Sequence, residues 1–258
     1  MQPGGHNRGI AIEDVSVGYG TQSVQTGISV EIGKGEIFAI VGDSGSGKST
    51  LMKTMAGLIP SQGGRILFDG RTLVECMQAG APPFGILFQS GALWTSMSVL
   101  ENVMLPMDLQ AWSLPPARAE LARFKLALVG LAGDEDLYPA SLSGGMRKRA
   151  ALARALALDP TVLFLDEPSA GLDPLASRRL DELVLALRDG LGITVVLVTH
   201  ELESLYSIAD RMIFLDGEVH RPVALGRPAQ LANSAESAKV RDFLSRRSGA
   251  TATAKEVP

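Results

Sequence analysis

A single cysteine, Cys76, leaves no partner for an intrachain disulfide and fits a reducing compartment. Excess positive charge is also missing. The 24 Lys and Arg against 28 Asp and Glu give a formal charge of −4, which excludes a whole-molecule electrostatic footprint for nucleic acid. No apolar run approaches the roughly 20 residues that span a bilayer, so service to a membrane would be performed from outside the lipid. Met1 to Gly9 are polar and glycine-rich and lack the apolar stretch of a signal peptide. These absences lead to the expectation of a cytoplasmic globular chain. Aromatic residues are sparse at 5%, yet 46% of the 258 residues are hydrophobic and 20% charged, enough to bury a core.

What is present begins with short apolar runs that read as strands: Ile10–Ile12, Glu36–Val41, Ile66–Phe68, Phe84–Phe88, Val162–Leu165, Thr194–Val198 and Met212–Leu215. Within them Ile37–Val41, Val162–Leu165 and Val195–Val198 are continuously apolar, as parallel strands covered on both faces require. Helical patterns lie between them. Asp173-Pro174 supplies a cap and a first-turn proline, and Leu175, Leu180, Leu183, Val184 and Leu187 are expected to form one stripe until Gly190. The alternation argues an α/β fold with a parallel sheet. From about Ser98 to Leu158 strand candidates vanish. Ser98 and Glu101 have capping-box spacing and Pro115-Pro116 can open a helix through Val129, so residues 98–158 read as a helical insert. The stretch Ile10–Ile32 alternates and suggests an N-terminal antiparallel β-subdomain. The main domain is expected over 10–220, a helical extension over 221–247 with Val240, Phe243 and Leu244 on one side, and a disordered tail over 248–258.

Gly42-Asp43-Ser44-Gly45-Ser46-Gly47-Lys48-Ser49 fits G-x-x-x-x-G-K-[ST], and it follows a buried strand and opens a helix, with Thr50 next in line. Glycines let successive backbone N–H groups turn inward around phosphate oxygens, and the helix N-terminus adds partial positive charge. Lys48 offers a point charge to the β- and γ-phosphates, and Ser49 a hydroxyl to Mg²⁺. Asp166 and Glu167 leave the end of a second buried strand, the edge where open α/β sheets hold ligands. Asp166 suits the Mg²⁺ shell, and Glu167 suits activation of a water. Alternatively, Asp-Glu-Pro merely opens a solvated loop, since Pro168 disfavours helix before it. Ser143, Gly144 and Gly145 precede an apolar-striped helix, a second N-terminus with free N–H groups for an anion.

With Leu142-Ser143-Gly144-Gly145-Met146 added to the two phosphate motifs, the chain from about Ile10 to Val219 resembles an ATP-binding cassette (ABC) nucleotide-binding domain. The resemblance implies a P-loop NTPase core, ATP and Mg²⁺ as cofactors, and head-to-tail pairing of two copies with ATP between them. It implies further roles. Tyr19 would stack on adenine, or be an ordinary strand-edge tyrosine. Gln89 would touch Mg²⁺ and the attacking water, or simply end a strand. Asp173 would cross the dimer interface, cap its helix, or do both. His200 would contact the γ-phosphate. His6 and His220 are read as incidental, and Arg147-Lys148-Arg149 as a partly solvated helix face.

Met146, where many members have glutamine, points to a subfamily. Phe88–Trp94, Ser98–Val103, Ser143–Arg149, Asp166–Pro174 and Thr199–Leu202 together resemble the Mla-type phospholipid-transport cassettes. That resemblance implies integral membrane permease subunits, an MCE-domain lipid carrier, a small regulatory subunit, no nucleic acid, and a place on the cytoplasmic face of the inner membrane. Leu93, Trp94, Met97, Leu105 and Met107 are numerous for an exposed region; core packing accounts for most, with one or two left for a permease helix. Competing readings are a cassette for another cargo, a non-transport ABC protein, and a P-loop kinase. The kinase gives no reason for Ser143–Met146.

Overall fold

A computed structural model describes residues 8–80, 82–110 and 115–245. The chain opens with β1 (Arg8–Tyr19) and β2 (Gln22–Gly33), followed by β3 (Ile37–Gly42), α1 (Lys48–Met55), β4 (Gly63–Phe68), β5 (Arg71–Thr72), α2 (Leu73–Gln78) and β6 (Phe84–Leu87). The helices α3 (Val99–Leu109), α4 (Pro115–Leu128) and α5 (Gly144–Ala155) come next. Then follow β7 (Val162–Asp166), α6 (Pro174–Leu191), β8 (Thr194–Val198), α7 (Leu202–Ile208), β9 (Arg211–Asp216), β10 (Arg221–Gly226), α8 (Pro228–Ser234) and α9 (Ala238–Ser245).

Two sheets result, in the orders β2-β1-β4-β5 and β10-β9-β3-β8-β7-β6. The first is antiparallel, with Ile10 opposite Ile32 and Ile12 opposite Val30. In the second, β9, β3, β8, β7 and β6 run parallel and β10 returns antiparallel on β9. Successive strand residues point to opposite faces, and here both faces are dry. Phe38, Ile40, Phe164, Val196 and Val198 pack with α1 and the antiparallel sheet. Ile37, Leu163, Leu165, Val195 and Leu197 pack with α3, α5 and α6. Ala39, Val41, Met212 and Phe214 pack with α7 and the C-terminal helices. The expected α/β class, with its antiparallel subdomain and inserted helices, is the observed one. No helix among the described residues is long and apolar enough to cross a membrane.

The insert starts at a capping box: Ser98 Oγ accepts from Glu101 N at 3.2 Å and Glu101 Oε2 accepts from Ser98 N at 2.7 Å. Buried Asn102 then pins the preceding loop, its Oδ1 accepting from Trp94 N and its Nδ2 donating to the carbonyls of Trp94, Met97 and Ser98. Of the apolar residues in this region, Met107 is buried, Leu93, Met97 and Leu105 are half-buried, and Trp94 is 59% exposed.

Two expectations are corrected. Leu175 does not join the buried stripe of α6; it is exposed, while Leu180, Val184 and Leu187 are buried. The five-residue step from Leu175 to Leu180 turns about 140° around a helix, onto a different face. Residues 221–226, expected to begin a helical extension, form strand β10 instead. It is a half-buried edge strand whose Pro222 is tolerated only at such an edge, and its weak alternation hid it. The tail 248–258 and His6 lie outside the described residues.

Candidate functional site

The phosphate loop leaves β3 and runs into α1, so its position is set by a strand buried on both faces. Gly47 caps α1 at φ +92° with no side-chain cap bond, leaving first-turn N–H groups without a side-chain partner. A Cβ at Gly47 would stand 2.8 Å from Val24 Cγ1, and one at Gly42 only 2.2 Å from the Leu215 carbonyl oxygen. The loop is therefore wedged between β2 and β9 where no side chain fits. Gln25, fully buried on β2, ties it down: its Nε2 donates to Ser46 O at 2.8 Å and to Asp216 O at 2.7 Å. Ser46 is itself buried, and its Oγ has no hydrogen-bond partner.

Lys48 Nζ folds back over the loop, donating to Gly42 O at 3.0 Å and Asp43 O at 2.7 Å. Burial lowers its pKa, opposed by the carboxylates of Glu167, Asp43 and Asp166. Ser49 Oγ donates to Asp166 Oδ1 at 3.0 Å, across 117 residues of sequence. Burial raises the Asp166 pKa, the Ser49 hydrogen bond opposes that, and the neighbouring Glu167 charge adds to it. Among the described residues no cluster of three or more His, Cys, Asp or Glu could cage a metal. One hydroxyl beside one partly desolvated carboxylate is instead a donor set that would suit a divalent cation such as Mg²⁺, completed by phosphate oxygens and water.

Glu167 follows β7 at φ +45°, its N–H bound to Val198 O. Its carboxylate is held on both oxygens: Gln89 Nε2 donates to Oε2 at 2.9 Å, and His200 Nδ1 lies 3.1 Å from Oε1. His200 is otherwise exposed at the end of the β8 segment. Lys148 was expected on a solvated face and is buried. Its Nζ donates to the backbone carbonyls of Gln89 and Glu167, the latter at 3.3 Å. The helix start turns this residue inward between two strand ends that need a donor, while Arg147 and Arg149 stay nearer the surface and bind the Leu142, Val129 and Gly130 carbonyls. The structural roles of Gln25 and Lys148 depend on partners distant in sequence, and no motif spacing points to those of Gln25, Asn102 or Lys148.

Tyr19, Gly42, Asp43, Ser44, Gly45, Gly47, Lys48, Ser49, Thr50, Glu167 and His200 line one cleft of about 760 Å³. Tyr19 is 57% exposed at its mouth. Ser143, Gly144, Gly145 and Asp173 line another, of about 530 Å³, together with Gly171 and Leu172. There Ser143 Oγ accepts from Met146 N at 3.2 Å as the N-cap of α5. Asp173 caps α6 by accepting from Leu175 N and Ala176 N at 3.0 and 2.9 Å. The two clefts share no lining residue. His220 Nδ1 contacts Val24 O at the surface and lines neither cleft.

A parallel sheet that delivers a glycine-rich loop, a lysine, a paired serine and aspartate, and a held glutamate to one edge defines a P-loop nucleoside triphosphatase. The ABC transporter family model matches residues 25–170. The chain is 37% identical over 239 residues to the intermembrane phospholipid transport ATP-binding protein MlaF of Escherichia coli, covering 91% of this chain and 88% of that protein. It is 34% identical over 245 residues to the probable ribonucleotide transport ATP-binding protein Mkl of Mycobacterium leprae, covering 93% of this chain and 70% of that one. A dimeric ATP-binding cassette solved with ADP and phosphate in a post-hydrolysis state superposes with a TM-score of 0.74 at 26% identity, over 84% of this chain and 98% of that one. The chain belongs to the ABC transporter family and is an ATP-hydrolysing, ATP-binding subunit.

Proposed function

We propose that two copies of this chain close head to tail around ATP and that this closure drives a membrane permease which moves phospholipid. The observation that carries the pairing is the separation of the two anion-reading clefts within one chain. Each is lined by glycine-rich backbone at the start of a helix, and the two share no lining residue, so the second is free to face a different subunit's nucleotide. On this reading each residue takes a role. The loop from Gly42 to Thr50 cradles the triphosphate with Lys48 on its terminal charge, Tyr19 takes the base, and the partner's Ser143–Gly145 closes on the γ-phosphate. Asp173 shapes the loop beside that surface.

Ser49, Asp166 and Gln89 would hold Mg²⁺, which when bound supplies charge neutralisation to the phosphates. Glu167 accepts the proton of the attacking water, with Gln89 and His200 fixing the direction of its carboxylate. Loss of γ-phosphate contacts then removes what holds the copies together, and the pair reopens.

Phospholipid cargo is supported by the MlaF likeness, which runs over 88% of that relative's length against 70% of Mkl. A permease helix would dock in the region of Gln89–Met107, where Trp94 is exposed. The subunit would then sit at the cytoplasmic face of the inner membrane, beside an MCE-domain lipid carrier and a small regulatory subunit. Isolating the intact membrane complex and identifying its bound lipid tests the cargo. The pairing is tested by light scattering of Glu167→Gln with ATP, which is expected to be dimeric. Adding Ser143→Arg is expected to return it to monomer. A Glu167→Gln chain that stays monomeric in saturating ATP, alone and with its permease, overturns the reading.

A further inference from the structure

The cleft has an unexpected wall. Apart from the His200 ring, the aliphatic and aromatic side chains among its lining residues are Tyr19, Val24 and Phe243. Tyr19 and Val24 come from the β1–β2 hairpin, but Phe243 comes from α9, at the far end of the sequence. Its ring is half-buried and stands edge-on to Phe214 of β9, with centroids 5.4 Å apart and planes at 74°. Part of the ring is thus anchored in the core, and part is presented to the cleft.

A second contact fixes the same helix to the same loop. Lys239, one turn before Phe243, places Nζ 2.7 Å from Asp43 Oδ2 in the phosphate loop. The same ammonium lies 3.2 Å from Asp216 Oδ2 and 3.3 Å from Glu218 Oε1. Val240 and Leu244 are buried beneath, and Tyr206 Oη donates to the Leu244 carbonyl at 3.0 Å. A helix sealed from below and tied to the loop from the side holds its aromatic ring at a set position, at little ordering cost on binding.

We propose that α9 is part of the nucleotide site: Phe243 forms a second aromatic wall for the base in the cleft it shares with Tyr19, and Lys239 holds that wall in register with the phosphate loop through Asp43. This rests on the reading of the cleft as the ATP site. The chemistry is that of a flat, π-faced heterocycle meeting an aromatic edge or face, while the phosphates meet none of it.

The test compares binding of Mg-ATP with binding of Mg-tripolyphosphate, which has the phosphates and no base, by titration calorimetry on the full chain. Phe243→Ala is expected to weaken ATP by about 2–10-fold, the worth of one aromatic contact, and to leave tripolyphosphate unchanged. Phe243→Tyr is expected to restore ATP affinity. Phe243→Leu keeps apolar volume against Phe214 and guards against loss of the fold; the same base-selective loss is expected. Lys239→Met is expected to reproduce that loss and Lys239→Arg to avoid it.

Parental ATP affinity in Phe243→Leu overturns the wall, as does equal weakening of both ligands. A parental ratio in Lys239→Met overturns the tether. Tyr19→Ala, run alongside, separates the levels: base-selective loss there and none at 243 removes α9 alone, whereas none at either position removes the base-site reading itself.

Discussion

Gln89 and Glu167 meet through a 2.9 Å hydrogen bond from the amide Nε2 to carboxylate Oε2, although 78 residues separate them in sequence. The contact crosses from the end of β6 to the end of β7, adjacent parallel strands. A carboxylate aimed in this way is ready to accept a proton without first finding its rotamer. Glu167→Gln is expected to keep ATP affinity within a few-fold and to slow single-turnover hydrolysis by about 10²–10⁴, the range of a general base. Unaltered turnover would take Glu167 out of the mechanism.

Lys48 and Gly47 act at the cradle. Lys48→Ala removes the one ammonium that caps the loop carbonyls at 3.0 and 2.7 Å, and a titration should show ATP affinity falling at least about tenfold, the loss of one charge-assisted bond of 1.5–3 kcal/mol. Gly47→Ala meets both a left-handed φ of +92° and Val24 at 2.8 Å. It is expected to lower stability by about 1–2 kcal/mol and to abolish measurable ATP binding, checked by denaturant unfolding and by the same titration.

Lys148 does not itself line the phosphate cleft, yet it bridges the backbone carbonyls of Gln89 and of Glu167, which does. Burial lowers its pKa, with Glu167 and Asp166 opposing the shift. Lys148→Met keeps the length and removes the donor. Hydrolysis is expected to slow by about tenfold, the effect of 1.4 kcal/mol of lost positioning, while ATP affinity changes less than about twofold, within roughly 0.4 kcal/mol. A drop in affinity equal to the drop in rate would assign Lys148 to binding instead.

Asp181 on α6 gives a pH signature remote from the site. Burial pushes its pKa up to about 6, and the nearby charges of Glu201 and Glu203 add to the shift. A carboxyl whose folded pKa lies above its unfolded value costs stability when ionised. That cost is absent below about pH 4 and grows as pH rises through about 6. Asp181→Asn is therefore expected to stabilise by about 1–3 kcal/mol at pH 8 and by little at pH 4, read from urea unfolding at the two pH values. A gain that is the same at both would remove ionisation as the cause.

Much of this is legible in the sequence. The three continuously apolar strands announced a doubly covered sheet, because a face open to water would have shown polar alternation. The loop Gly42–Ser49, the pair Asp166-Glu167, the cap at Asp173-Pro174 and the Ser98–Glu101 capping box are short-range chemistry, written in residues that touch or nearly touch along the chain. One failure arose where neighbours in space are strangers in sequence, and two were local. Lys148 looked like one cation among three on a helix start, Leu175 was counted into a stripe that the helical angle denies it, and β10 had too little pattern to separate a strand from a helix.

The sequence by itself determined the local devices suited to phosphate, since backbone conformation, helix caps and strand burial follow from residues within a few positions. Only the tertiary structure decided which of those devices share a cleft. It set Ser49 on Asp166, closed Gln89 and His200 around Glu167, kept Ser143–Gly145 in a separate cleft, and brought Phe243 and Lys239 from the end of the chain to the loop near its start. Those pairings depend on sheet order and on which faces are buried, and a linear pattern of residue types does not encode how distant strands are shuffled into a sheet.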